Sequence, residues 1–339
     1  MFRIFLAGVM IVALIAVAVV GVSLYTAATQ WHSPATVEVE IAPGSSVHRI
    51  AADLAQQNVI RTPALFVALA RFRGIGGKLR AGTYEFEAGT TLMSAFKKVA
   101  RGEVKQYPFT IIEGQTMEDT ARTLERGPFA AGSNIAARFR FLARDPTFIA
   151  QLGFAGVNSL EGYLFPDTYL ISKPVTAEAL IKRLVARFRE VWKTLDGAAL
   201  KATGMKEKDI VTLASIIEKE TGAANERPLI ASVFMNRLKN KMPLQSDPTI
   251  IYGLPNFDGN LHKGDITNPH LYNTYVHPGL PPGPICNPGK ASLNAALHPA
   301  QSDYLFFVSK NDGTHLFTAT LAEHMQGVRE YQIEGKGRQ

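Results

Sequence analysis

Leu213-Ala214-Ser215-Ile216-Ile217-Glu218-Lys219-Glu220-Thr221-Gly222 closes a mostly apolar stretch of helical period. From Asp209 onward, Ile210, Leu213, Ala214 and Ile217 recur at i, i+3, i+4 and i+7, the spacing of a buried helix face. At about 100° per residue, Glu218 falls beside Val211 and Ala214 on one shoulder of that face. Glu220 falls on the opposite shoulder, between Leu213 and Ile216, and Lys219 points away. A carboxyl wedged against alkyl groups is poorly solvated, so its neutral form is favoured and its pKa rises. A glutamate kept protonated near neutral pH can serve as a general acid. Two surface glutamates at a helix end stopped by Gly222 would read the same over this stretch alone, so the rest of the chain decides.

A chain of 339 residues has material for two or three domains with real cores. Its 46% hydrophobic and 19% charged content is that of a globular protein, not a disordered one. The net charge of +7 is spread out, with no long Lys/Arg block, and favours anionic surfaces in general. Neither a zinc finger nor an aromatic-plus-basic platform is present, so nucleic acid is not an expected partner. Cys286 is the single cysteine, which excludes a disulfide within the chain and any multi-cysteine metal site. His262, His270 and His277 lie in loops without ligand spacing, so no metal is expected.

Residues 5–29 carry no charge and are rich in Val, Ile, Leu and Ala, a length that matches the roughly 20 residues needed to cross a bilayer. Arg3 and the terminal amine precede this run, and Glu38 and Glu40 are the first charges after it. That asymmetry puts the N-terminus in the cytoplasm and everything after about residue 30 outside. The competing reading is a cleaved signal peptide, with Thr26-Ala27-Ala28 as its small-residue site; the run is longer than the usual 7–15-residue apolar region of such peptides.

Beyond a short tether at 30–36, a frame repeats. Ile41-x-x-Gly44-x-Ser46-Val47-x-x-Ile50-Ala51-x-x-Leu54 recurs as Ile111-x-x-Gly114-x-Thr116-Met117-x-x-Thr120-Ala121-x-x-Leu124. Each copy reads as strand, Gly turn, Ser/Thr N-cap and amphipathic helix. Residues 37–105 form a β-α-α-β module followed by a helix, which resembles the LysM-like module that binds glycans containing N-acetylglucosamine; a spacer that binds nothing fits equally. Residues 106–157 connect, with 132–157 helical. Residues 176–195 form a long amphipathic helix.

Between those helices stands Leu160-Glu161-Gly162-Tyr163-Leu164-Phe165-Pro166-Asp167-Thr168-Tyr169. Flat aromatic faces with carboxylates suit a glycan groove, and an aromatic core loop fits the same composition. After a helix from Pro228 come Leu244-Gln245-Ser246-Asp247-Pro248-Thr249, Tyr272-Asn273-Thr274-Tyr275 and Gly279-Leu280-Pro281-Pro282-Gly283-Pro284-Ile285. The 245–287 region has little helical pattern, and long loops inside a compact domain usually line a cleft. A hairpin joins 304–308 to 315–318 through Asn311-Asp312-Gly313.

Taken in order, these motifs resemble the endolytic murein (lytic) transglycosylases of the YceG-like, MltG type over nearly the whole chain. The resemblance implies an α+β protein: an N-terminal transmembrane helix (5–29, after a cytoplasmic tip at 1–4), the LysM-like module, and a mixed α/β catalytic domain over 158–335 with long loops lining a cleft. It implies a lyase, without cofactor, anchored in the bacterial inner membrane and facing the periplasm. Such an enzyme cleaves peptidoglycan between N-acetylmuramic acid and N-acetylglucosamine, leaves 1,6-anhydro ends, acts on nascent strands as a terminator of elongation, and has peptidoglycan strands, the membrane and peptidoglycan synthases as partners. The family's catalytic glutamate corresponds to Glu218, with Glu161, Tyr163, Asp167, Ser215, Glu220, Gln245, Asp247, Tyr272 and Asn273 as substrate-binding candidates. Two other readings stay open: a non-catalytic peptidoglycan-binding scaffold, and a pyridoxal-phosphate-dependent aminodeoxychorismate lyase, against which the outside location and the lack of a lysine–phosphate-loop arrangement argue.

Overall fold

The computed structural model describes residues 2–77, 79–130, 134–154 and 156–335. They divide into two compact units, one comprising 1–108 with 170–175 and the other 109–169 with 176–339.

The first unit begins with α1 (Phe2–Thr29) and continues through β1 (Val37–Ile41), α2 (Val47–Gln56), α3 (Pro63–Phe72), β2 (Gly82–Phe86) and α4 (Leu92–Arg101). β1 and β2 pair antiparallel, Val39 opposite Tyr84, and turn Val39 and Ile41 into a core with Ile50, Leu54, Phe66 and Phe86. The caps are local chemistry: Ser46 Oγ accepts the Arg49 N–H, and Thr91 and Ser94 close a reciprocal box at the start of α4.

β3 (Gln106–Thr110) pairs with β4 (Thr168–Ser172). The second unit is mainly helical: α5 (Met117–Arg126), α6 (Ile135–Leu142), α7 (Pro146–Gln151), α8 (Ala177–Trp192), α9 (Gly197–Thr203), α10 (Glu207–Glu220), α11 (Arg227–Lys239), α12 (Asp247–Gly253), α13 (Lys263–Ile266) and α14 (Lys290–Leu297). The hairpin of β5 (Phe306–Ser309) and β6 (His315–Thr318), then α15 (Leu321–Gly327) and a π-helical turn at Val328–Ile333, complete it. The helical stretch expected over 132–157 is broken in two: Asp145 accepts the Thr147 N–H and Pro146 opens a new helix, while 131–133 and 155 lie outside the described residues.

The transmembrane anchor expected over 5–29 is not upheld. Among the described residues no helix is long and apolar enough to cross a membrane. α1 has 28 residues, and the side chains of 2–7, 9, 24 and 27–29 lie outside the described residues. The correction applies equally to the transmembrane element of the fold class, the membrane-anchored part of the function, the membrane as a partner, and the single-pass inner-membrane localisation.

Candidate active site

α10 is held on every side. Asp209 accepts the Lys206 N–H at 3.0 Å and closes the first turn, and Glu207 and Asp209 place negative charge where the helix dipole favours it. All residues from 210 to 217 are buried, with α11, α12 and α14 packed around them. The two polar members answer to backbone. Thr212 donates to Lys208 O at 2.8 Å and Ser215 to Thr212 O at 2.7 Å, while Ser215 Oγ accepts the Ile285 N–H at 3.0 Å. Ser215 therefore ties the 284–287 loop to α10, and nothing of it is left for a ligand. The helix runs out at Thr221, whose backbone is extended.

The two glutamates near that end go different ways, as their helical positions require. Glu218 forms an ion pair with Arg227 at 3.4 Å, the two side chains 6% and 11% exposed. Its other carboxylate oxygen accepts the Gly289 N–H at 2.8 Å, and Arg227 Nε donates to Ser292 Oγ. Glu113, which the sequence motifs did not single out, lies across Gly289; a Cβ at that position would stand 1.9 Å from its Oε1. Burial raises the Glu113 pKa, the Glu218 charge raises it further, and Arg227 opposes both. The result is a knot of charges joining α10, α11, α14 and the 111–116 turn.

Glu220 faces a cavity of about 230 Å³. Burial pushes its carboxyl up to about 7, with Asp247 adding to the rise, while a hydrogen bond from Ser246 Oγ and the charge of Arg237 pull against it. The poorly solvated carboxyl that the sequence predicts at this helix end thus belongs, in its clearest form, to the second glutamate. Gln245 and Asp247 also line the cavity. They come from a run in which Leu244 and Ser246 are buried and Gln245 and Asp247 exposed. Ser246 N–H donates to Thr274 Oγ1, the Gln245 N–H to Thr274 O, and Gln245 takes a φ of +49°. Tyr275 donates to Asp247 at 2.7 Å and so fixes its orientation. Arg237, 6% exposed, spends Nε and Nη1 on the carbonyls of Leu305, Pro243 and Leu244, fastening the hairpin to this loop.

The remaining candidates lie elsewhere. Tyr163 is 1% exposed and packs on Phe154 and Phe188; it is core. Glu161 is buried, accepting Met117 N–H at 2.8 Å and Tyr252 OH at 3.2 Å, and burial pushes its pKa up to about 7. The Tyr272 ring packs at a tilt against that same Tyr252, centroids 4.8 Å apart. Asp167 is paired with Arg187 at 2.8 Å. Asn273 is fully buried and gives its amide hydrogens to the carbonyls of Asp265, Ile266 and Asn268. Reading the motifs missed Phe307 and His324, which complete the cavity wall from the C-terminal hairpin and α15; no sequence pattern ties them to Glu220. Among the described residues no group of three or more His, Cys, Asp or Glu side chains could hold a metal ion.

The arrangement can deliver a proton into a small polar cavity and hold a ligand of about one ring in place while it does so. Known proteins carry the same chain pattern. The sequence model of the YceG-like family matches residues 39–330. An endolytic murein transglycosylase of Bacillus subtilis (strain 168) is 34% identical over 314 residues, covering 88% of this chain and 86% of the relative. One from Streptococcus pneumoniae (strain R6) is 30% identical, and the match takes in 87% of this chain but 58% of that longer protein. The crystal structure of a YceG-like protein from Listeria monocytogenes aligns with a TM-score of 0.59 and 32% identity, over 86% of this chain and 98% of the other.

Proposed function

The chain belongs to the YceG-like family and is a lyase of the lytic transglycosylase type; from that premise we propose that it cuts murein glycan strands in the cavity at the end of α10, with Glu220 as the proton donor. Glu220 protonates the glycosidic oxygen as the C1–O bond breaks. The 6-hydroxyl of the same sugar then attacks C1 and yields its proton to the Glu220 carboxylate, closing a 1,6-anhydro ring without consuming water. An internal nucleophile has a high effective molarity, so the second carboxylate that hydrolysing glycosidases ordinarily use is dispensable. Gln245 and the Tyr275-held Asp247 orient the sugar.

One observation supports this choice of acid: Glu220 is the carboxyl on α10 that both lines the cavity and has a pKa near 7, the value at which a group gives and retakes a proton most readily. The resemblance points to Glu218, and a second reading keeps that assignment because the Glu218 side chain, 6% exposed, lies beside Gly114 and is held by the Gly289 N–H and by Arg227. Mass spectrometry of products from polymeric glycan decides between them. Glu220→Gln is expected to abolish release of anhydro-ended fragments, and Glu218→Gln to retain it. The reverse pattern transfers the role to Glu218. Full activity in both variants refutes an acid on this helix.

A further inference from the structure

On the second reading above, the contacts of Glu218 explain how it is held but not how it carries a proton. Arg227 and the Gly289 N–H are both donors, and donors bind the anionic form of a carboxyl, whereas a general acid has to start protonated. Glu113 is the neighbour that pulls the other way. It stands in a turn tied twice to the 284–287 loop: the Gly114 N–H donates to Asn287 O at 3.0 Å, and the Asn287 N–H to Gln115 O at 2.9 Å. Gln115 Oε1 accepts the Ile112 N–H at 3.0 Å, and Gly114 takes the left-handed φ of +79° that lets the chain reverse there. The turn lies on the end of α10, since a Cβ on Gly114 would stand 3.8 Å from Glu218 Cγ and from Lys219 Cδ.

Glu113 is exposed, and its carboxyl takes part in none of these bonds. It fills the room that Gly289 leaves by having no side chain, its Oε1 being 1.9 Å from where a Cβ would stand. Gly289 thus has the Glu218 carboxyl on its N–H and the Glu113 carboxyl against its α-carbon. Two carboxyls so placed repel when both are ionised, and they titrate as a pair. The Glu113 pKa agrees: burial raises it first, then the Glu218 charge, with Arg227 of α11 opposing. Lys219 on α10 and Lys290, next in the chain to Gly289, are both exposed. The Cys286 thiol, from the loop below, is kept neutral by burial.

We infer that Glu113 is a positioning residue for the cleavage: the pair holds one proton across Gly289, and the Glu113 charge opposes Arg227 so that this proton is available to Glu218. Glu218 passes it to the glycosidic oxygen as the C1–O bond breaks and takes one back from the 6-hydroxyl. The pair therefore ends the cycle with the single proton it began with. This inference rests on the reading that keeps the acid at Glu218.

The test is the pH profile of kcat/KM for the full chain on polymeric glycan, which reports the ionisations of the free enzyme. Glu113→Gln keeps the shape and removes the charge. It is expected to move the alkaline limb down by about one pH unit or more, a loss of about tenfold at a given pH on that limb, with the acid side unchanged. Glu113→Asp, which keeps the charge on a shorter stem, is expected to recover part of the shift. An unmoved profile, or an equal loss at every pH, overturns the inference while leaving the Glu218 reading intact if Glu218→Gln is inactive. A Glu113→Gln chain whose near-UV circular dichroism shows it unfolded also overturns it, because the side chain would then serve the fold. An active Glu218→Gln removes the Glu218 reading and this inference with it.

Discussion

Replacing Glu220 by glutamine tests the solvation argument through stability alone, without any substrate. The folded-state pKa of Glu220 lies near 7 instead of the 4.5 of a solvated glutamate. Between those values the folded chain binds more protons than the unfolded one, so stability falls as pH rises. The contribution is fully present below about 4.5 and lost as pH passes through 7. A displacement of this size, at about 1.4 kcal/mol per pKa unit, amounts to about 3 kcal/mol. Glutamine keeps the shape and can still accept from Ser246 Oγ, but it cannot ionise. Glu220→Gln should therefore match the parent near pH 4.5 and exceed it by about 3 kcal/mol at pH 8. Urea unfolding across that range, followed through Trp192 in a Trp31→Phe background, reports on the second unit, since Trp31 belongs to the first. Glu161, raised to about 7 by its own burial, remains in both proteins and leaves a pH slope in each. Parallel stability curves over the whole range would refute the claim that burial holds Glu220 protonated.

Two further substitutions probe what surrounds the site. Asn287→Ala removes a side chain that accepts from the N–H groups of Gly162 and Leu164 and donates to Gln115 O; leaving these buried groups unpaired should cost about 3 kcal/mol or more in urea unfolding, and a cost under 1 kcal/mol would contradict that role. Arg227→Ala strips the partner from Glu218, 6% exposed, and should destabilise by about 3–5 kcal/mol; Glu218→Gln in the same background is expected to restore much of the loss, and failure to do so would show that the knot is not electrostatic.

The helical period placed Glu218 and Glu220 on opposite shoulders of α10, and they lie apart in the structure for that reason. Which shoulder meets the cavity was not legible, because it depends on where the 244–247 loop, the hairpin and α15 come to rest, all long-range in sequence. Candidate choice by residue type failed where polar groups serve backbone. Ser215 and Asn273 look like ligand-binding residues, yet each is consumed by carbonyls and amides of neighbouring loops. Tyr163 fell to the core because the Phe154–Phe188 pair offered it an apolar seat. α12 was hidden because Asp247-Pro248 reads as a turn in a seven-residue stretch too short to show a period. The anchor was read from an uninterrupted apolar run, whereas among the described residues no helix is long and apolar enough to cross a membrane.

The ribbon at 244–247 has a practical consequence. Its inward members, Leu244 and Ser246, are bolted to α11, to Glu220 and to Thr274, so the outward pair can be rewritten without unseating the chain. Position 245, with its left-handed backbone, accepts asparagine or glycine most readily. A small library at 245 and 247 is thus a compact route to variants that favour differently decorated sugars.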